Sequence, residues 1–148
     1  MQYWLIKSEA ETYSIDTLKS DKCTPWSGVR NYAARNFMMK MRAGDLCLFY
    51  HSNKDAGVYG IAKVASDPHP DPSQFDTEGP YFEPRATREK PVWYCVDMVF
   101  AEKLKHPVLR EEMKLDAELS GMLVLTHPRL SVQPVSEKHF EYIHELGK

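Results

Sequence analysis

The distribution of proline most restricts what this chain can fold into. Six of its ten prolines fall within residues 67–91. Proline lacks a backbone N–H, so it interrupts helices and the interior strands of sheets. This segment therefore predicts an extended surface loop with short edge pieces. The prolines are Pro68, Pro70, Pro72, Pro80, Pro84 and Pro91.

The apolar runs outside this loop are short and predict about five or six strands. In residues 91–100 both alternating sides are mainly apolar, which is typical of a central strand. Gly60 is a candidate for a bulge or a close approach. The clearest strands are predicted at residues 3–7, 45–52, 58–66, 91–100 and 129–135.

Three or four short helices are predicted between the strands. Ser14 and Ser136 are candidate N-caps for helices over residues 13–21 and 136–146. Residues 106–116 have Pro107 near a helix start, and residues 117–126 indicate a helix-to-strand transition. Doubly wound sheets need longer helices, so the pattern favours an α+β small barrel of mixed strands. We expect one domain covering residues 1–148.

A further helix is predicted to begin at Asn31. Its apolar residues recur at helical intervals, and Gly44 is placed to follow its end. The residues expected on its apolar face are Tyr32, Ala33, Phe37 and Met41.

Composition places the chain among ordinary globular proteins. Hydrophobic residues make up 43% and charged residues 27%, and the net charge is -2. No apolar run is long enough to span a membrane, and the first residues lack the pattern of a signal peptide. We therefore expect a cytoplasmic protein without a membrane partner. Cys47 and Cys95 lie in apolar runs and are interpreted as buried, reduced thiols.

Positive charge is concentrated in residues 26–42, "WSGVRNYAARNFMMKMR", which contain four basic residues and no acid. Trp26 lies in a turn just before this basic helix. An aromatic ring beside cations can bind an unpaired base while the cations hold phosphates. The alternative is that Trp26 anchors the core and the arginines are solvated.

No pattern of catalysis is convincing. The chain has no phosphate-binding loop, no dinucleotide fingerprint and no metal-ligand spacing, so we predict no cofactor and no metal. Asp45, His51 and Ser52 could be drawn as a triad. Adjacent residues of a strand point to opposite faces, however, so His51 could not easily activate Ser52. We expect His51 to form a hydrogen bond at the end of its strand.

Several sequence blocks together closely resemble the EVE domain, a PUA-like family. The resemblance runs from residue 3 to about residue 143, and it implies a PUA-like pseudo-barrel. It also implies binding of DNA or RNA that carries a modified base, such as methylated or hydroxymethylated cytosine or methylated adenine, flipped into a pocket beside the sheet. The blocks are "YWLIKSEAETYSIDTL", "WSGVRNYAARN", "GDLCLFYHS", "GVYGIAKV", "PHPDPSQFD" and "RLSVQPV".

The resemblance also implies which residues form the site. The sequence departs from the family pattern at Ala10, where proline is usual, and at Ala33, where glutamine is usual. Glu9 and Gln133 are candidates either for ligand contact or for a structural role. The implied base pocket contains Ser8, Trp26, Asn31, Tyr50, His51, Ser52 and Ser131. The implied phosphate contacts are Lys7, Arg30, Arg35 and Arg129.

These observations predict a non-catalytic, monomeric reader of modified nucleic acid. One alternative is a hydrolase or modifying enzyme acting on modified nucleotides or nucleic acid, using His51 with an acid such as Glu9 or Asp45. Another is a subunit whose pocket binds a small nucleotide-like metabolite.

Overall fold

The computed structural model describes residues 1–148 and contains one large sheet, one small sheet and several short helices. The strands are β1 (Tyr3–Glu9), β2 (Cys23–Pro25), β3 (Leu46–Ser52), β4 (Gly57–Val64), β5 (His69–Pro70), β6 (Tyr94–Cys95), β7 (Asp97–Leu109) and β8 (Val132–Val135). The helices are α1 (Ile15–Asp21), α2 (Tyr32–Met38), α3 (Arg110–Leu115), α4 (Leu123–Thr126) and α5 (Glu137–Leu146), with 3₁₀ turns at Pro72–Phe75 and Ala117–Leu119.

The six-stranded sheet has the order β2-β7-β4-β3-β1-β8 and curls into a half-barrel. β1 runs parallel to β3, and the remaining neighbours are antiparallel. This confirms the predicted pseudo-barrel of mixed strands and short helices. The strand number was underestimated because β2, β5 and β6 have only two or three residues each, too few to produce an apolar period.

Alternation along β1 divides the core between the two faces of the sheet. Trp4 and Ile6 belong to a cluster of 17 buried residues, which also includes residues of α1 and α2. Leu5 belongs to a second cluster of 13 buried residues, which includes residues of α3, α4 and α5. Because side chains of a strand alternate, one strand supplies both clusters. By the same alternation, Lys7 and Ser8 near the end of β1 point to opposite faces of the sheet.

Local signals placed several elements correctly. Ser14 accepts a hydrogen bond from Thr17 N at 3.1 Å, and Ser136 accepts one from His139 N at 3.1 Å, so both predicted N-caps are confirmed. Gly60 lies at a register shift of β4, and a Cβ there would approach Ile15 to 2.5 Å. The prediction of a bulge with close packing is therefore also confirmed.

The prediction for residues 106–116 was wrong at its start. β7 continues to Leu109, and the helix begins at Arg110. Pro107 is tolerated because the ladder between β4 and β7 is interrupted there: Gly60 pairs with Lys103 and Val58 with Val108. Of the predicted central strand at residues 91–100, Met98 and Val99 pair with both β2 and β4 and are interior to the sheet, as predicted. Tyr94 and Cys95 instead form β6 of the small sheet.

Two further predictions need correction. Residues 123–126 form a helical turn, α4, and not a strand. The buried residues of α2 are Ala34 and Met38, whereas Tyr32 and Ala33 of the predicted apolar face are exposed. Tyr32 instead stacks on Trp93, with ring centroids 4.9 Å apart.

The remaining expectations concern membranes and thiols. The longest helix, α5, has ten residues, whereas crossing a bilayer takes about 20. Cys47 and Cys95 are buried free thiols, as predicted, and Cys23 is exposed.

Candidate nucleic-acid interface

An open cavity of about 460 Å³ lies where β1 ends. One wall is the end of β1 with the loop that follows it, and the opposite wall is the turn over residues 24–30. Tyr81 and Ser131 complete the rim. This volume is within the range of small-molecule pockets in proteins.

Trp26 forms part of the inner wall of this cavity and is 8% exposed. Its ring packs edge-to-face against Tyr13 at 5.9 Å and Phe49 at 5.4 Å. The Nε1–H of Trp26 donates to no acceptor in the protein. Every buried side-chain nitrogen has a hydrogen-bond partner, so Nε1 is not among the buried atoms. The indole N–H of Trp26 therefore reaches the solvent of the cavity. The sequence prediction that Trp26 lines a pocket agrees with this geometry.

Arg30 also lines the cavity, but its guanidinium is largely committed to the protein. Nη1 donates to Asp71 Oδ2 at 3.2 Å and to the carbonyl of Val29 at 3.0 Å. Nη2 donates to Ser73 Oγ at 3.1 Å and to the carbonyl of Tyr81 at 2.7 Å. Since a guanidinium has five N–H groups, only the Nε–H remains for a ligand. Arg30 therefore mainly links the turn over residues 24–30 to the proline-rich loop over residues 67–91.

Asp71, which accepts one of these hydrogen bonds from Arg30, is fully buried. Its carboxylate accepts from Ser73 Oγ at 2.6 Å, Ser73 N at 2.8 Å and Gly28 N at 2.9 Å, in addition to Arg30. Burial alone would raise the pKa of Asp71, but the hydrogen bonds from Ser73, Gly28 and Arg30 outweigh it and lower the pKa. Asp71 therefore remains charged and fastens the loop to the wall.

Lys7, Ser8 and Ser131 line the other side of the cavity. Lys7 Nζ donates to the carbonyl of Pro128 at 2.9 Å. Burial, followed by the nearby charge of Arg110, lowers the pKa of Lys7. Arg129, two residues before Ser131, is exposed and donates to no protein acceptor.

Three other predicted residues are not brought to this cavity. Asn31 caps α2, where its side chain accepts from Ala34 N at 2.9 Å. Arg35 donates to the carbonyl of Val92 at 2.8 Å. Tyr50 is buried in the core cluster on the opposite face from Trp26.

His51 and Ser52 line a second, smaller cavity of about 300 Å³, which shares Glu9 with the first. His51 Nε2 accepts a hydrogen bond from Ile15 N at 3.1 Å, which confirms the expected hydrogen bond at the strand end. Burial lowers the pKa of His51 and favours the neutral ring. The ring nitrogen that a general base would need is therefore already an acceptor for α1.

Asp45 and Gln133 have structural partners. Asp45 accepts from Trp4 Nε1 and from Arg42 N, both at 3.0 Å, at the other end of β3 from His51. Gln133 is buried, and its Nε2 donates to the carbonyl of Leu130 at 2.8 Å. The fold therefore places Asp45 at the opposite end of β3 from His51 and Ser52, so the three residues do not form a triad.

Sequence reasoning missed Thr12, Tyr13, Thr24 and Tyr81, which also line the cavity. Tyr13 donates to Asp21 Oδ2 at 2.9 Å, and burial together with this bond raises its pKa to about 12. Thr12 and Tyr13 directly follow the Lys-Ser-Glu end of β1, so their position was a usable signal. Nothing local in the sequence marked Tyr81.

A curled mixed half-barrel with an aromatic-walled cavity at the end of its first strand defines a PUA-like binding domain. The EVE domain family matches residues 2–146, and the chain belongs to this family.

Among its relatives, human thymocyte nuclear protein 1 is 34% identical over an alignment of 164 positions, which covers 97% of this chain and 73% of the relative. A hypothetical protein from Leishmania major is 45% identical with a TM-score of 0.96, covering 99% of this chain and 94% of that one. Human THYN1 protein, solved in complex with DNA containing 5-methylcytosine, is 33% identical with a TM-score of 0.94, covering 100% and 98%. An ASCH protein from Zymomonas mobilis, 8% identical with a TM-score of 0.58, shares the fold alone.

Proposed function

We propose that this chain is a non-catalytic reader of nucleic acid, which holds one modified base, extruded from its strand, in the cavity beside Trp26. The observation that carries the proposal is this open cavity, with a free indole N–H in its wall. The related human protein solved with 5-methylcytosine DNA supports the same class of ligand. The candidate ligands are methylated or hydroxymethylated cytosine and methylated adenine, in DNA or RNA.

The geometry indicates how such a base would be held. A ring that is only 8% exposed offers little free face for stacking, so Trp26 contributes chiefly its N–H and its edge. Ser8 and Ser131 add short polar groups suited to the pairing edge of a base. Burying one extra methyl group gives only about 0.8 kcal/mol, so strong selectivity needs a polar group that the wrong base leaves unpaired.

The test uses Trp26→Phe, which removes the N–H and keeps most of the apolar ring. Losing one hydrogen bond should weaken binding of a modified oligonucleotide by about 1 kcal/mol, or roughly fivefold. The matched control is Trp4→Phe, because Trp4 Nε1 donates to Asp45 and Trp4 does not line the cavity. That control should lower stability without changing affinity. Equal affinities for Trp26→Phe and wild type would remove Trp26 from the site.

A binding screen identifies the ligand. Purified protein would be titrated, at one stated salt concentration, with DNA and RNA oligonucleotides carrying each modification at a single position. Phosphate contacts alone would bind all of them equally. Preference for one modification supports the proposal, and equal affinity for modified and unmodified strands contradicts it.

The proposal that the chain is non-catalytic is supported by the hydrogen bond that His51 Nε2 already accepts from α1. Steady formation of product from a modified nucleoside, lost in His51→Ala, would overturn it and favour the enzyme. We also propose that residues 1–148 act as one domain and as a monomer, which light scattering would measure. The relatives include proteins named as nuclear, and a cytoplasmic location stays a prediction.

A further inference from the structure

A partly exposed tyrosine stands at the mouth of the cavity. Tyr81 is 43% exposed and is the one residue of the proline-rich loop that lines the cavity. Its hydroxyl forms no hydrogen bond with the protein. A large aromatic ring therefore remains open to solvent beside the cavity.

Contacts with Arg30 and Gly28 hold the ring of Tyr81 in place. The guanidinium carbon of Arg30 lies 5.4 Å from its centroid, and Arg30 also donates to the carbonyl of Tyr81. The ring lies against Gly28, whose φ is +88°, and a Cβ at that position would be 2.9 Å from Tyr81 Cε2. Since the backbone and ring are already positioned, binding against the ring would lose little conformational freedom.

Neighbouring nucleotides share a phosphate, so the neighbour of a base held beside Trp26 must lie at the mouth of the cavity. A base stacks on an aromatic ring regardless of its identity, because every base has a π-face. We propose that Tyr81 is the stacking platform for the nucleotide next to the modified base. The ligand is then a modified base with an unpaired neighbour, in a single strand or a locally opened duplex. This inference rests on the proposed function of the cavity.

The experiment measures affinities for three trinucleotides with 5-methylcytosine in the middle. One is intact, one has an abasic residue on the 5′ side, and one has it on the 3′ side. Tyr81→Ala should weaken binding of the intact trinucleotide about 5- to 150-fold. Tyr81→Phe keeps the ring and should bind like wild type. Phe82→Ala is the matched control, since Phe82 is 40% exposed but does not line the cavity.

The abasic ligands show whether the lost interaction is with a base. Wild type should bind one of the two abasic ligands as weakly as Tyr81→Ala binds the intact trinucleotide. On that same abasic ligand, the affinity of Tyr81→Ala should equal that of wild type. Equal losses by Tyr81→Ala on all three ligands would mean a general disturbance of the cavity and would overturn the proposal.

The inference and the proposed function fail in different ways. If Tyr81→Ala matches wild type on the intact trinucleotide while Trp26→Phe weakens it, the platform is refuted and the cavity remains the site. If wild type binds no trinucleotide with methylated cytosine, hydroxymethylated cytosine or methylated adenine in the middle, both fail. Binding of the free modified nucleoside by Tyr81→Ala at wild-type affinity, with an unchanged melting temperature, shows that the variant is folded and that its cavity is intact.

Discussion

Replacing Asp71 with asparagine should destabilise the folded state by about 2–4 kcal/mol. An amide offers one acceptor oxygen, whereas the buried carboxylate accepts four hydrogen bonds. If Nδ2 takes the place of Oδ1, the N–H of Ser73 loses its acceptor; if it takes the place of Oδ2, Gly28 and Arg30 lose theirs. A buried donor without an acceptor costs about 1–3 kcal/mol. Loss of the ion pair with Arg30, whose side chain is 22% exposed, adds about 1 kcal/mol.

Urea unfolding followed by tryptophan fluorescence measures this loss as a shift of the midpoint at constant m-value. The matched control is Asp67→Asn, because Asp67 is in the same loop but is exposed and its carboxylate accepts no hydrogen bond. Its change should stay within about 0.5 kcal/mol. A similarly small change for Asp71→Asn would refute the reasoning, because the loop would then be held without this carboxylate.

The pH dependence tests the same carboxylate independently. Hydrogen bonds outweigh burial and place the pKa of Asp71 below its unfolded value of about 3.9. A depressed pKa contributes stability that is present above the unfolded value and lost as pH falls through the folded value. The stability difference between wild type and Asp71→Asn should therefore be constant between about pH 8 and 5, and shrink below about pH 4. A difference that does not change with pH would contradict this.

Two other predictions concern His51 and Arg129. Burial lowers the pKa of His51, so the unfolded chain binds the proton more readily, and stability should fall as pH drops below about 6.5. His51→Gln should flatten this dependence between about pH 7 and 5 in urea titrations, whereas a dependence identical to that of wild type would argue against it. Arg129→Ala should reduce the slope of log affinity against log salt by about 0.7–0.9, one phosphate contact. Arg35→Ala should leave that slope unchanged, because the guanidinium of Arg35 donates to the carbonyl of Val92. A reduced slope for Arg35→Ala with an unchanged slope for Arg129→Ala would assign the phosphate contact to Arg35 instead.

The parts of the fold that depend on neighbouring residues could be predicted from the sequence. The caps at Ser14 and Ser136 depend on an N–H only three residues away. Pro107 misled the prediction because its tolerance depends on a gap in the pairing with β4, which no local pattern shows. Tyr81 at the rim of the cavity, and Asp71, which holds its loop in place, were missed for the same reason: Asp71 lies 43 residues from Gly28, and Tyr81 lies 51 from Arg30.

The basic segment at residues 26–42 shows why a run of charges in a sequence need not form a charged surface. The fold supplies acceptors from elsewhere, since Arg30 pairs with Asp71 and Arg35 donates to a main-chain carbonyl. Lys7 is different: its Nζ lies 5.8 Å from the centroid of the Tyr50 ring, on the opposite face of the sheet from Trp26. Lys7 lies near the half-buried Arg110, which contributes to its lowered pKa, and neither forms a salt bridge. Because a phosphate would offset this uncompensated positive charge, the nucleic-acid backbone should pass from the end of β1 toward the Tyr50 face of the sheet rather than over the arginines of the basic segment.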